Sequence, residues 1–511
     1  MAIIERALIS VTDKTGVVDL AKGLHALGIE VISTGGTAQA ISQAGVPVRE
    51  VSDVTGFPEM MDGRLKTIHP RIAGGVLAVR GKQAHMDSLA EHGIPRIDMV
   101  VVNLYAFEKV AARAGAHLHE LIENIDIGGP TMIRAAAKNF QDVAVVTSPD
   151  DYAAILQELH DRGKDLCEAT LWRLAQKAFA LTAAYDRAIS ARLAQVGLGA
   201  ESRLPGILDI RAPRVLDLRY GENPHQSAAL YSLRKGGIAA AEQLQGKELS
   251  YNNLVDLDAA WQLIQEFDQP ASAIIKHTNP CGCAEAATQA ESYRKAFDAD
   301  PISAYGGVLA FNRPLDEGTA REIGKTFIEA IAAPDYDTAA LSLLSAKKNL
   351  RLLKVAPAEE ELVVKSISGG FLAQTADLHR LDRAEALVKT KRAPSDEEWK
   401  ALEFGWKVCK HVKSNAIVYA RAGQSVSAGA GQMSRVDSVK VGAMKAVLPL
   451  QGTVMASDAF FPFADGIEEA AKHGITAVIQ PGGSVRDDEV VAAADRLGLA
   501  MVFTGVRHFR H

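Results

Sequence analysis

Ala7-Leu8-Ile9-Ser10-Val11, an amphipathic stretch from Thr15 to Leu27 closed by Gly28, and the run Ile29 to Ser33 decide how the first part of this chain folds. A short apolar run, a 3.6-residue hydrophobic period ended by glycine and a second apolar run spell a βαβ unit. The pattern continues with a predicted helix from Thr37 to Ala44, followed by Gly45, and with Met99-Val100-Val101-Val102-Asn103, a strand buried on both faces. An α/β fold with a doubly wound parallel sheet is the natural assembly. Helical patterns from Asp151 to Arg162 and from Leu171 to Gln195 then give way to Gly197-Leu198-Gly199, Pro205 and Pro213, where periodicity is lost. We expect one domain over residues 1–198, a linker over 199–213 and a second domain over 214–511. The second part alternates again, with strand-like Ala273-Ile274-Ile275, Gly307 to Phe311, Ala416 to Tyr419, Ala477 to Ile479 and Met501 to Phe503. Lys276-His277-Thr278-Asn279 after one strand echoes Lys413-Ser414-Asn415 before another, which predicts two similar subdomains.

Composition narrows the function. A chain of 511 residues exceeds one ordinary core, and 48% hydrophobic with 23% charged residues predicts folding throughout. A formal charge of -6 offers no general attraction to nucleic acid or anionic membrane, so a bound phosphate must meet a local site. The four cysteines are too few for a disulfide scaffold, and Cys281 and Cys283 stand too close for a usual zinc knuckle; a reducing, cytoplasmic setting is expected. Glu5 and Arg6 interrupt the apolar start, so residues 1–11 read as neither signal peptide nor membrane span.

Two loops, Ser10-Val11-Thr12-Asp13-Lys14-Thr15-Gly16 and Ser33-Thr34-Gly35-Gly36-Thr37, leave strands and open helices. Each offers backbone N–H groups, hydroxyls and a helix N-terminus to an anion. Either alone reads more simply as helix capping; the two together, with Lys14, favour a phosphate site. Neither carries a Walker or dinucleotide pattern. Gly63-Arg64-Leu65-Lys66-Thr67-Ile68-His69-Pro70 concentrates cations, and Asn103-Leu104-Tyr105 and Asp126-Ile127-Gly128-Gly129-Pro130-Thr131 follow, the latter leading into a helix with Arg134 and Lys138. Such loops gather at the carboxyl ends of strands, where open α/β sheets bind ligands.

In this order and spacing the motifs resemble the inosine monophosphate cyclohydrolase domain of the bifunctional purine-synthesis enzymes. The resemblance implies a fold like methylglyoxal synthase. It places a ribotide phosphate at Lys14, Thr34, Gly36 and Thr37, further substrate contacts at Ser10, Thr67, Asn103 and Gly128, and Arg64, Lys66, Tyr105, Asp126 and Lys138 around the reacting ring. In the implied reaction a carboxamide nitrogen attacks a formamide carbon and water leaves, which needs positioning, oxyanion stabilisation and proton transfer but no metal or redox cofactor. Lys66 and Tyr105 would serve the formyl oxygen, and Asp126 with Lys138 the amide proton; the roles could be exchanged.

The second part carries Arg219-Tyr220-Gly221-Glu222-Asn223-Pro224-His225-Gln226 and, directly after a strand, Lys276-His277-Thr278-Asn279-Pro280-Cys281-Gly282, read as a loop stopped by Pro280. A lone histidine is more often structural, but beside Lys276 in a loop fixed by Pro and Gly it becomes a candidate base. With Ser414-Asn415-Ala416-Ile417-Val418, Gly429-Ala430-Gly431-Gln432-Met433-Ser434-Arg435, Ala456-Ser457-Asp458-Ala459-Phe460-Phe461-Pro462-Phe463 and Gln480-Pro481-Gly482-Gly483-Ser484, these motifs are similar to the transformylase domain of the same family. Its fold is a duplicated, metal-free relative of cytidine deaminase. The implied reaction moves a formyl group from 10-formyltetrahydrofolate to the ribotide amine. His277 would be the general base, Lys276 would stabilise the oxyanion or protonate the leaving nitrogen, and Asn415 would hold the folate or the tetrahedral centre. The resemblance adds contacts at Arg219, Tyr220, Asn253, Gly306, Glu329, Arg435, Phe460, Asp465 and Arg507; Glu329 stands where some relatives carry Asp, and Tyr305 where others carry Phe. It also implies a homodimer with the transformylase site across the interface and the cyclohydrolase site within one subunit.

Two other readings compete with this one. A purely regulatory phosphate-binding first domain would not need Lys66, Tyr105, Asp126 and Lys138. A zinc deaminase would need a His-x-Glu pair and Pro-Cys-x-x-Cys, and both are incomplete here.

Overall fold

The computed structural model describes residues 3–61, 63–105, 107–113, 115–196, 204–233, 235–358 and 362–511. The chain divides into two compact units, Met1–Ser202 and Arg203–His511. Gly197-Leu198-Gly199 and the start of the expected linker, to residue 203, lie outside the described residues; residues 204–213 contain neither helix nor strand. Among the described residues no helix is long and apolar enough to cross a membrane.

In the first unit, β1 (Arg6–Ser10), β2 (Glu30–Ser33), β3 (Arg49–Glu50), β4 (Met99–Val102) and β5 (Ala144–Val146) form a sheet of order β3-β2-β1-β4-β5, parallel throughout. The connections wind one way from β1 and then return beside it as β4, so a crevice opens between the loops that follow β1 and β4. Helix α1 (Val17–Ala26) buries Val17, Leu20, Ala21 and Leu24, the i, i+3, i+4, i+7 stripe that its sequence predicts. Each fully buried leucine contributes about 1.5–3 kcal/mol. Gly28 ends it at φ 72°, its N–H reaching His25 O. Helix α2 (Gly35–Gln43) starts two residues earlier than expected, because Gly35 and Gly36 form its first turn instead of a preceding loop. Two further helices, α3 (Gly128–Lys138) and α4 (Glu168–Val196), pack together against the β5 side.

The second unit is organised by one twelve-stranded sheet. Its strands are β6 (Glu242–Gln245), β7 (Ala271–Lys276), β8 (Asn279–Glu285), β9 (Gly307–Phe311), β10 (Ile328–Ala333), β11 (Arg351–Lys354), β12 (Leu387–Val388), β13 (Ile417–Arg421), β14 (Gln424–Gly429), β15 (Val454–Ser457), β16 (Ala477–Gln480) and β17 (Ala500–Phe503). The order is β12-β17-β16-β15-β13-β14-β8-β7-β9-β10-β11-β6. From the β14/β8 seam outward each half repeats one plan: an antiparallel hairpin, three parallel strands, then an antiparallel edge. Helices α5 (Tyr251–Ile264) and α6 (Asp396–Cys409) precede the two hairpins, each opened by a capping box, Ser250 with Asn253 and Ser395 with Glu398. They share one core, in which Leu257, Trp261, Leu402 and Trp406 are buried.

This topology corrects two sequence expectations. Pro280 does not stop a loop; it lies within β8, which pairs with β7 through a bulge between Pro280 and Gly282. Lys413-Ser414-Asn415 is not the structural counterpart of Lys276-His277, because the turn matching that of β7 and β8 is Ala422-Gly423, between β13 and β14.

Candidate active sites

At the carboxyl ends of the first sheet, two side chains tie the loops together. Thr37 is buried, its hydroxyl donating to Val11 O at 2.9 Å and accepting from Val11 N at 3.2 Å. The Asn103 Oδ1 accepts from Thr12 N and Asp13 N at 2.7 and 3.0 Å, and its Nδ2 donates to Asp13 O at 2.9 Å. Both polar groups expected at substrate are thus engaged by the loop itself. Thr34 makes no side-chain cap bond to α2 and Gly16 cannot make one to α1, while Asp13 accepts from the Thr15 N–H at 2.9 Å just ahead of α1. Gly35 and Gly36 are exposed, and two ammonium groups flank them: a β-carbon would stand 3.5 Å from Lys66 Nζ on Gly35 and 3.7 Å from Lys14 Nζ on Gly36. The arrangement suits an anion. Lys66 also pairs with Glu59 at 2.9 Å.

Thr67 Oγ1 would lie 3.0 Å from a β-carbon on Gly128, which brings the Lys66 loop to the start of α3. There the Asp126 Oδ1 accepts from Gly129 N at 2.8 Å, and the Asp126 N–H donates to the Tyr185 hydroxyl at 2.7 Å. Burial raises the Asp126 carboxyl above its usual range, against opposing hydrogen bonds from the backbone of Gly129, Tyr105 and Gly128. A carboxyl so shifted, in a crevice, is suited to proton exchange. Tyr105 stands 49% exposed beside it, Ser10 ends β1 half-buried, and Arg64 pairs with Glu123 at the surface. Lys138 is exposed at the last position of α3, ten rises of about 1.5 Å, or about 15 Å along the helix axis, from Gly128.

In the second unit, Lys276 pairs with Asn279, leaving His277 and Thr278 as a two-residue hairpin turn. Both have positive φ, 52° and 62°, as a type I′ turn requires. Asn-Gly is usual there; each non-glycine residue costs about 1–2 kcal/mol, and Thr278 is β-branched besides. Asp256 on α5 accepts from the backbone N–H of His277 at 3.3 Å and of Thr278 at 2.7 Å. Lys276 Nζ donates to Tyr305 O at 2.7 Å, close to Gly306, whose φ is 68°. Asn279 joins this turn to the second motif, its Nδ2 donating to His277 O at 3.2 Å and its Oδ1 accepting from Lys413 N at 3.0 Å. The Lys276-His277 turn and the Lys413-Ser414-Asn415 segment are therefore neighbours.

Asn415, whose peptide with Ser414 is cis, donates from Nδ2 to Gln432 O at 2.9 Å and accepts at Oδ1 from Arg435 Nη2 at 2.8 Å. Arg435 is turned inward: its Nη1 reaches Asp458 Oδ1 at 2.6 Å and Ser457 Oγ at 2.7 Å, and both partners are fully buried. Asp458 also accepts from Ser414 Oγ. Phe460 is 37% exposed, Asp465 accepts from Gly466 N at the start of a short helix, and Arg507 lies over the Phe509 ring. A cleft of about 590 Å³ gathers Arg219, Tyr220, Asn253 and Glu329, four of the expected contacts, with Lys247 and Arg351, which sequence reasoning missed. Arg351 Nη1 holds Glu329 Oε2 at 2.8 Å, restraining the longer carboxylate. Asp256 was also missed, since a single carboxylate inside a helix carries no local signature; Asn279 and Asp458 lie within quoted motifs, but their partners could not be read there. Burial pushes the Cys281 thiol up to about 12 and that of Cys283 well up, which leaves both as inert thiols.

The family model described as AICARFT/IMPCHase bienzyme matches residues 136–445, and that of the MGS-like domain matches residues 16–131. A solved structure titled "Crystal structure of ForH" is similar at 37% identity, covering 36% of this chain and 94% of that one, with a TM-score of 0.34. The first of these models spans more than half of the chain and the second falls on the parallel-sheet unit: the chain belongs to the AICARFT/IMPCHase bienzyme family, whose members carry a formyltransferase and a cyclohydrolase of purine synthesis.

Proposed function

We propose that the two activities are divided between the two units. The second transfers a formyl group from 10-formyltetrahydrofolate to the exocyclic amine of aminoimidazolecarboxamide ribotide (AICAR), and the first closes the product, FAICAR, to inosine monophosphate. The observation that carries the reading is the hairpin turn that presents His277 beside Lys276. As the amine attacks the formyl carbon it loses a proton to His277; Lys276 stabilises the oxyanion and protonates the leaving folate nitrogen; Asn415, oriented by Arg435, steadies the tetrahedral centre. Arg435 thus acts as a positioning residue. Arg219, Tyr220, Asn253 and Glu329 line the cleft that receives ribotide, with Gly306, Phe460, Asp465 and Arg507 as further contacts.

In the first unit Lys14, Thr34 and Gly36 hold the ribotide phosphate, while Thr37 and Asn103 keep the loop in shape. The carboxamide nitrogen of FAICAR attacks the formyl carbon, Lys66 and Tyr105 stabilise and protonate its oxygen, Asp126 takes the amide proton, and water leaves. Lys138, at the last position of α3, shares that proton with Asp126. The direct test is to mix the purified protein with AICAR and 10-formyltetrahydrofolate and to look for inosine monophosphate.

Two predictions follow from the division. A fragment of residues 1–198 is expected to fold and to cyclise FAICAR without folate; a soluble, folded fragment with no such activity would count against independent catalysis. We further propose that the protein works in the cytoplasm as a homodimer with the formyl-transfer site completed across the interface. Activity at such a site follows mass action. Dilution below the dimer dissociation constant should therefore lower formyl transfer per chain while cyclisation holds; constant transfer by demonstrably monomeric protein would refute the shared site.

A further inference from the structure

The turn that carries His277 is held from below by a residue outside every motif discussed so far. Asp256 lies on α5, a helix of 14 residues fixed at its start by the Ser250 capping box and along its length by buried Leu254, Leu257 and Trp261. Its two carboxylate oxygens accept separately from the N–H groups of His277 and Thr278. Successive residues at positive φ are unfavourable for side chains bearing a β-carbon, and a carboxylate that binds both of their N–H groups offsets that cost with charge-assisted hydrogen bonds. One restraint acts on the backbone of His277 and the other on that of Thr278, so together they hold the turn from which the imidazole projects and leave the ring itself for the reaction.

We infer that Asp256 is a positioning residue of the formyl-transfer site, locking the His277-Thr278 turn in the conformation that aims the imidazole at the substrate amine. The inference rests on the reading of His277 as the base. Without the carboxylate, the turn relaxes toward ordinary φ values and the base spends less time in place. Substrate contacts in the cleft are untouched, so the loss falls on turnover and not on binding.

The experiment compares steady-state formyl transfer by Asp256→Asn, Asp256→Ala, Asp256→Ala with Thr278→Gly, and His277→Ala in the full chain, with cyclisation measured on each preparation. Both single Asp256 variants should lose about 10²-fold in kcat, the scale on which a misplacement of about 1 Å acts. KM for ribotide and folate should stay within about twofold, and cyclisation should hold. Thr278→Gly should restore a large part of the loss, since glycine adopts positive φ freely; a general folding role for Asp256 would not be repaired by that change. Normal kcat in Asp256→Asn, or no recovery with Thr278→Gly, overturns the inference. If His277→Ala is inactive while Asp256→Asn is normal, only this inference fails. If His277→Ala is active, the reading beneath it fails and takes the inference with it.

Discussion

Replacing His277 by alanine is expected to lower formyl transfer by about 10²–10⁴-fold, the usual contribution of a positioned general base, while the same protein continues to close FAICAR. The attacking amine is deactivated by the imidazole carboxamide to which it is attached, so it must shed a proton as the new bond forms. An imidazole nitrogen with a free lone pair can accept that proton. His277→Gln tells a base from a hydrogen-bond partner: glutamine can reach the amine but cannot accept its proton, and the variant should be as inactive as alanine. Transfer near the normal rate with glutamine would remove His277 as the base. Since His277 already sits in a turn unfavourable to side chains, neither change asks more of the backbone.

Lys66→Ala should have the opposite selectivity. Loss of one donor to a developing oxyanion costs about 10²–10³ in turnover, so cyclisation should fall by that factor while formyl transfer survives. The ammonium lies beside Gly35 at the start of α2, and its removal also weakens the field that attracts the ribotide phosphate, so KM should rise as well. Measuring both activities on one preparation decides the matter; equal loss of both would indicate misfolding or a shared site.

The elements were legible where hydrophobic period and punctuation agreed. The spacing of Val17, Leu20, Ala21 and Leu24 before Gly28 predicts α1, and Met99 to Val102 reads as a strand covered on both faces, which it is. The start of α2 was misplaced because glycine reads as loop, although it also serves in the first turn of a helix. Motif membership showed which residues gather at a site but not which way they face. Thr37, Asn103 and Arg435 are spent on neighbours distant in sequence, and no local pattern records such partners. Lys138 stands at the last position of α3, and motif membership does not record how far its side chain reaches. Pro280 was misread because a bulge lets a strand hold proline.

The seam between β8 and β14 bears on how the protein is made. Cys283 N donates to the Ser425 hydroxyl, which donates back to Cys283 O, across 142 residues of sequence. At roughly 5–20 residues per second of synthesis, β8 waits about 7–30 s for the strand that will cover it. During that interval its outer row of backbone groups is an open template for any other extended chain. Pro280 withholds an N–H from that row, and the bulge that follows twists its beginning away. The irregularity next to the His277 turn thus also leaves that row a poorer template for another chain until the second half of the sheet has emerged.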